Sequence, residues 1–148
     1  MASSSQLLSA TSRHQGFGIA ILRIITGIVF TAHGYQKLFM FGIAGVQGAF
    51  TQMGAPMPTI TGPLVACLEF FGGIALIVGL LTRLVALGFV VDMLGAMLLV
   101  HLANGFLLPK GYEFVLLLFA ASLALVFGGP GTLSIDSVIA KNANASSR

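Results

Sequence analysis

The sequence predicts an all-α integral membrane protein, a four-helix bundle with both termini on the cytoplasmic side. Of its 148 residues, 57% are hydrophobic and only 7% charged, whereas a soluble domain is usually about one-quarter charged. Mean hydropathy is +1.01. The apolar residues also gather into four stretches near the length, about 20 residues, that a helix needs to cross a bilayer.

The first span is expected at about 17–39. Residues 1–16 are Ser-rich and lack the apolar core of a signal peptide, so they read as a flexible tail ahead of a retained span. Segment 42–62 is rich in Gly and Pro and carries no charge, which suits a loop lying at the interface or folding back into the membrane edge. The second span is expected at about 63–81, with Pro63 in its first turn. Thr82 and Arg83 make a tight connection to the third, at about 84–103, which Asn104 and Gly105 stop. The fourth, at about 112–127, ends at Gly128-Gly129-Pro130-Gly131. Ser134 can then cap a short helix whose Ile135, Val138 and Ile139 touch the interface. One transmembrane domain therefore covers 17–139, and 140–148 reads as a second flexible tail.

The formal net charge is +3, but its lysines and arginines are scattered, which excludes nucleic acid as a partner. Topology accounts for the excess. Arg13, Arg83, Lys141 and Arg148 fall on the face of the termini, Lys37 and Lys110 on the other. The positive-inside rule then makes the termini cytoplasmic, in a multi-pass protein of a bacterial-type cytoplasmic membrane. Cys67 is the only cysteine, so no intramolecular disulfide, CxxC redox pair or thiolate metal cage is available. It reads as a small buried apolar residue, and Met93 and Met97 as packing rather than a copper site. No metal site is expected.

Seven ionisable side chains nevertheless lie within the spans: Arg23, His33, Lys37, Glu69, Asp92, His101 and Glu113. A charge near the bilayer centre costs roughly 2.5–3.5 kcal/mol, so such groups must pair, line a wet cavity or do chemistry. At 1.5 Å per residue, His33 and Glu69 lie roughly 9 Å below the non-cytoplasmic ends of their helices. Lys37, His101 and Glu113 fall within about one turn of that same side. His33, Lys37 and Arg23 share one stripe of the first helix. Gly72 and Gly73 lie on the face of Glu69, where they would let a flat ligand approach the carboxylate. Arg23 and Asp92, near the opposite side, could form a buried structural pair. Asp92 and His101, nine residues apart, are about 180° apart on a straight helix and should face different ways.

At these residues the chain resembles the DoxX family of small four-span membrane proteins. The likeness rests on Arg23, Gly27, Phe30, His33, Gly34, Lys37 and Leu38, then on Glu69, Gly72, Gly73, Leu76, Gly79, Leu80, Thr82 and Arg83. It continues through His101, Asn104, Gly105 and Phe106, then Gly111-Tyr112-Glu113, and finally Gly128, Pro130, Gly131, Ser134 and Asp136. It runs from about Leu22 to Ile139, and Asp92 is the one charge without a place in it. The resemblance implies the four-span fold. It also implies association with quinol oxidases, thiosulfate–quinone oxidoreduction or redox-stress complexes, although most members have no established activity.

The leading expectation is thus a membrane subunit of a quinone-linked oxidoreductase or redox-stress complex. His33, Lys37, Glu69, Gly72, Gly73, His101 and Glu113 would receive a quinone head group, with imidazole or ammonium donors and carboxylate proton carriers. Its partners would be the lipid bilayer and a redox protein or a second copy of the chain. Whether the chain is itself an enzyme stays open. One alternative is a non-catalytic scaffold or assembly subunit whose polar cluster only binds helices together. Another is a small-solute or proton pathway. A b-type haem held by His33 and His101 is disfavoured, because two histidines alone are a weak signal.

Overall fold

The computed structural model describes residues 4–107 and 109–146, with side chains from residue 14 onward. The Arg13 side chain and Arg148 lie outside the described residues. The described residues form helices and short connections, with no strand among them. In chain order these are α1 (Ser4–Tyr35), α2 (Gly42–Gln52), α3 (Pro58–Cys67), α4 (Gly73–Val78), α5 (Thr82–Ala96), α6 (Glu113–Gly128) and α7 (Ile135–Ser146). Three π-helical turns interrupt them: π1 (Gln36–Phe41), π2 (Leu68–Gly72) and π3 (Met97–His101).

Three helical runs, His14–Gln52, Pro58–Val78 and Thr82–Asn104, are long and apolar enough to cross a membrane, and Glu113–Gly128 is a shorter apolar helix. Large hydrophobic side chains are exposed along every run, including Ile21, Ile25, Leu64, Phe71, Leu87, Val91 and Leu117. In water such a surface would aggregate; in a bilayer it is the lipid face. Cys67 belongs to this exposed surface rather than to the core. A small thiol is tolerated there because lipid is as apolar as a protein interior.

The first helix extends well beyond the expected span, back to Ser4 and forward into π1. Segment 42–62 is mostly helical rather than a loop. Gly42, at φ 69°, turns the chain within the first run, and α2 then folds against α3 as a hairpin. Val46 packs on Gly62, and Gln47 Nε2 donates to the Thr59 carbonyl at 3.0 Å. Glycines disfavour helix in water, but in an apolar setting a helix is the cheapest way to satisfy each backbone group. Pro58 takes the first turn of α3, so Pro63 falls inside the helix.

The bundle closes where small residues let backbones meet. A Cβ on Gly27 would lie 2.7 Å from the Gly73 carbonyl oxygen, and one on Gly34 only 2.2 Å from the Phe70 amide nitrogen. Helix α1 therefore touches α4 and π2 backbone to backbone, the small-residue packing usual in lipid. The remaining core stacks Phe30 on Phe89, ring centroids 3.6 Å apart, among Leu76, Ala86, Met93, Val115, Leu118 and Leu125.

The end of the bundle that holds both termini is pinned by polar contacts. Arg23, fully buried, donates to the carbonyls of Leu76 and Ile77 at the end of α4 and of Thr132 and Leu133 before α7. Asp136 accepts from the amides of Leu81 and Thr82, both at 2.9 Å, and so caps α5 from another helix. Ser134 caps α7 through the Ser137 amide at 3.2 Å, as its sequence position suggests, and α7 continues to Ser146. Partial burial pushes the Asp136 carboxyl up, but the hydrogen bonds from Thr82 and Leu81 and the Arg23 charge outweigh it and hold it below its ordinary value.

A group held low in the folded state stabilises at neutral pH, and that stabilisation is lost as pH falls through its folded value. Asp136→Asn should therefore lower stability by about 1 kcal/mol at neutral pH, the usual worth of a cap. The gap between wild-type and variant melting temperatures should close below the ordinary carboxylate range.

Candidate functional site

Each π turn carries one of the polar residues singled out above: Lys37 lies in π1, Glu69 in π2 and His101 in π3. Such turns are rare and recur at functional sites, because one extra residue re-aims the side chains around it. Here they turn these three groups inward from three different helical runs.

Lys37 Nζ and Glu69 Oε2 form an ion pair at 2.5 Å. The Glu69 side chain is 4% exposed and that of Lys37 23%. Asp92 lies beside them, its carboxyl within hydrogen-bonding reach of that of Glu69 and within the field of Lys37. Its Oδ2 is buried without a partner. Two carboxyls and one ammonium thus occupy one apolar site.

Two cavities meet at this cluster. The smaller, of about 230 Å³, is lined by His33, Lys37, Glu69 and His101 together with Phe30, Phe114 and neighbours. The larger, of about 650 Å³, is mostly apolar, with Phe50, Met53, Leu64, Leu68, Val91 and Leu99 in its wall. Its ionisable groups are Lys37, Glu69, Asp92 and His101. Lys37, Glu69 and His101 belong to both linings, His33 only to the smaller and Asp92 only to the larger.

The histidines are fixed by backbone carbonyls: His33 Nδ1 lies 2.9 Å from the Val29 oxygen and His101 Nδ1 3.0 Å from that of Lys110. Since a carbonyl only accepts, Nδ1 carries the proton in each, and a neutral ring presents Nε2 as an acceptor.

The structure brings together His33, Lys37, Glu69 and His101 from the expected set and leaves others out. Glu113 lines neither cavity, although it has interactions of its own. Gly72 and Gly73 face neighbouring helices rather than a ligand. A Cβ on Gly72 would meet Val85 and Phe89, and one on Gly73 would meet Thr31. The expected Arg23–Asp92 pair does not form, because carbonyls at the bundle end hold Arg23 while Asp92 lies with Glu69. Asp92 and His101 line one cavity rather than opposing faces. A π turn inserts about one residue, so the angle between them falls from about 180° to about 80°. The α2–α3 wall of the larger cavity was also hidden, since a charge-free Gly/Pro segment gives no sign that it is helical.

These features define a multi-pass helical membrane protein with a charged cluster between two intramembrane cavities. The DoxX family model matches residues 18–102, and the chain belongs to the DoxX family. It is 33% identical, over 87% of its length and 94% of the relative's, to a Bacillus subtilis protein named "Putative oxidoreductase CatD". It is 31% identical to an uncharacterized membrane protein of Mycobacterium tuberculosis, over 86% of this chain and 84% of that one. It is 34% identical to the inner membrane protein YqjF of Escherichia coli, over 84% and 93% of the two chains. No solved structure matches. The chain is a multi-pass bacterial membrane protein.

Proposed function

We propose that this protein is a cytoplasmic-membrane subunit of a quinone-linked oxidoreductase or redox-stress complex, and that its larger cavity receives a quinone head group. The carrying observation is the shape of that cavity. Its wall is largely apolar, its volume of about 650 Å³ falls within the usual range for small-molecule sites, and its charges gather at Lys37, Glu69 and Asp92.

A quinone ring enters from lipid past the apolar side chains and offers a carbonyl oxygen to the Lys37 ammonium. Its reduction requires two electrons and two protons. A redox protein docked on the bundle exchanges the electrons, and the carboxyls serve the protons. The termini face the cytoplasm in this arrangement, in keeping with the positive-inside rule. The oxidoreductase name of the Bacillus subtilis relative agrees with the chemistry.

The test is binding of a hydroxyquinoline N-oxide, a quinone analogue, to the purified full chain in lipid nanodiscs. The analogue should bind, and Glu69→Gln should weaken it by about 1.5–3 kcal/mol, the worth of a hydrogen bond to a charged group. That is roughly ten- to a hundredfold in Kd. Unchanged affinity in a folded Glu69→Gln protein would refute the reading.

A further inference from the structure

We propose that the smaller cavity is a proton route to the ligand in the larger one, with the Glu69–Asp92 carboxyl pair as the transfer point between them. The proposal rests on the reading of the larger cavity as a quinone site and assigns the smaller one a separate task.

The division of linings carries it. His33 belongs only to the smaller cavity and Asp92 only to the larger, while Glu69, Lys37 and His101 belong to both. A proton passing from His33 to Asp92 therefore crosses the wall that Lys37, Glu69 and His101 share, where Glu69 is the one carboxylate. The smaller cavity reaches the α5–α6 connection through Pro109 and Gly111, at the bundle end away from the termini. The larger opens among apolar side chains of α2, α3 and α5. One cavity thus suits protons and the other a lipid-soluble ring.

The carboxyl pair has the geometry of a proton holder. A carboxylate only accepts, so two carboxyls hydrogen-bond only when one carries a proton. Glu69 and Asp92 line one cavity and interact there, with Asp92 Oδ2 buried and otherwise unpartnered. Lys37 neutralises one negative charge at 2.5 Å, and the shared proton neutralises the other. The unpartnered Asp92 Oδ2 is the oxygen left to meet a ligand.

Each titratable group lining the two cavities has a place. Lys37 supplies the counter-charge from π1, and His101 borders both cavities from π3. His33 stands in the smaller cavity on α1, and α6 contributes only Phe114, Val115 and Leu118.

The transfer balances simply. As the docked redox protein delivers electrons to the quinone, the O–H of the pair breaks and its proton bonds to the quinone oxygen. The ionised pair is refilled from the α5–α6 end, where neutral His33 accepts a proton from hydronium on Nε2 and passes that proton on to Glu69; a second such cycle supplies the second proton that the two-electron reduction requires.

Infrared spectroscopy of the full chain in nanodiscs tests this without any ligand. The carbonyl stretch of a protonated carboxyl should be present in the wild type and lost in both Asp92→Asn and Glu69→Gln. On transfer to heavy water, the band should shift more slowly in His33→Phe, which plugs the smaller cavity, on the order of a hundredfold, as for loss of a positioned proton-transfer group. His33→Asn, which keeps the cavity open and polar, should fall between, and matched melting temperatures confirm that both variants are folded. A band that survives Asp92→Asn, or exchange as fast in His33→Phe as in wild type, overturns the proposal. Analogue binding is measured on the same samples. Its absence from the wild type would sink the quinone reading, and the proton route to a ligand with it. Binding together with either adverse infrared result would sink the proton route alone.

Discussion

Arg23→Ala should destabilise the protein by about 3–5 kcal/mol, since it leaves several buried carbonyls unsatisfied at about 1–3 kcal/mol each. Arg23 donates to carbonyls on two separate segments: Leu76 at 2.5 Å and Ile77 at 2.8 Å, then Leu133 at 2.9 Å and Thr132 at 3.5 Å. Those carbonyls lie where α4 ends and where the chain approaches α7, beyond regular helical pairing; the Leu76 oxygen alone among them also accepts a backbone bond, from the Gly79 amide at 3.1 Å. Removing the guanidinium strands the Ile77, Thr132 and Leu133 carbonyls in an apolar setting and frees the segment before α7 from the bundle. Arg23→Lys keeps the charge but lacks the planar fork, so it should recover only part of the loss. Asp92→Asn should not reproduce the defect, because Asp92 does not touch Arg23. Thermal melts in nanodiscs, with proteolysis of the 128–146 segment as a second readout, check all three. A wild-type melt for Arg23→Ala would show that the carbonyl cage holds nothing in place.

This residue also shows where sequence reasoning succeeds and where it stops. The helical, membrane-type character of the chain was legible, in three long apolar runs and a shorter one, because burial in lipid requires long apolar stretches. Convergence of His33, Lys37, Glu69 and His101 was legible too, because helical rise converts position into depth. Partner choice was not. Arg23 and Asp92 looked complementary by sign and depth, yet an arginine can be satisfied by carbonyls, which every residue carries and no sequence displays. The π turns were equally invisible. Each adds a residue to one turn without any composition of its own, and so rotates Asp92 and His101 into a common cavity against the simple helical wheel. The glycines of the α2–α3 hairpin point to a loop only by a rule calibrated in water, which weakens where backbone groups have no water to bond.

A double-mutant cycle on Lys37 and Glu69 separates a binding site from structural glue. Either single apolar replacement, Lys37→Met or Glu69→Leu, leaves one charge buried alone and should cost about 3–5 kcal/mol. Replacing both removes the two desolvated charges together, and such exchanges are often neutral or stabilising, so the double variant should return to within about 1 kcal/mol of wild type. Were the pair present only to hold π1 against π2, that recovered stability would be the whole story, and ligand binding would recover with it. A site behaves differently. Analogue affinity should be lost in both singles and stay lost in the stable double variant, because the ring then meets neither an ammonium donor nor a carboxylate. The strength of the cycle is that its decisive member is a folded protein. Affinity cannot be lost there through unfolding, so whichever way it turns, the result speaks to what the charges do for a ligand.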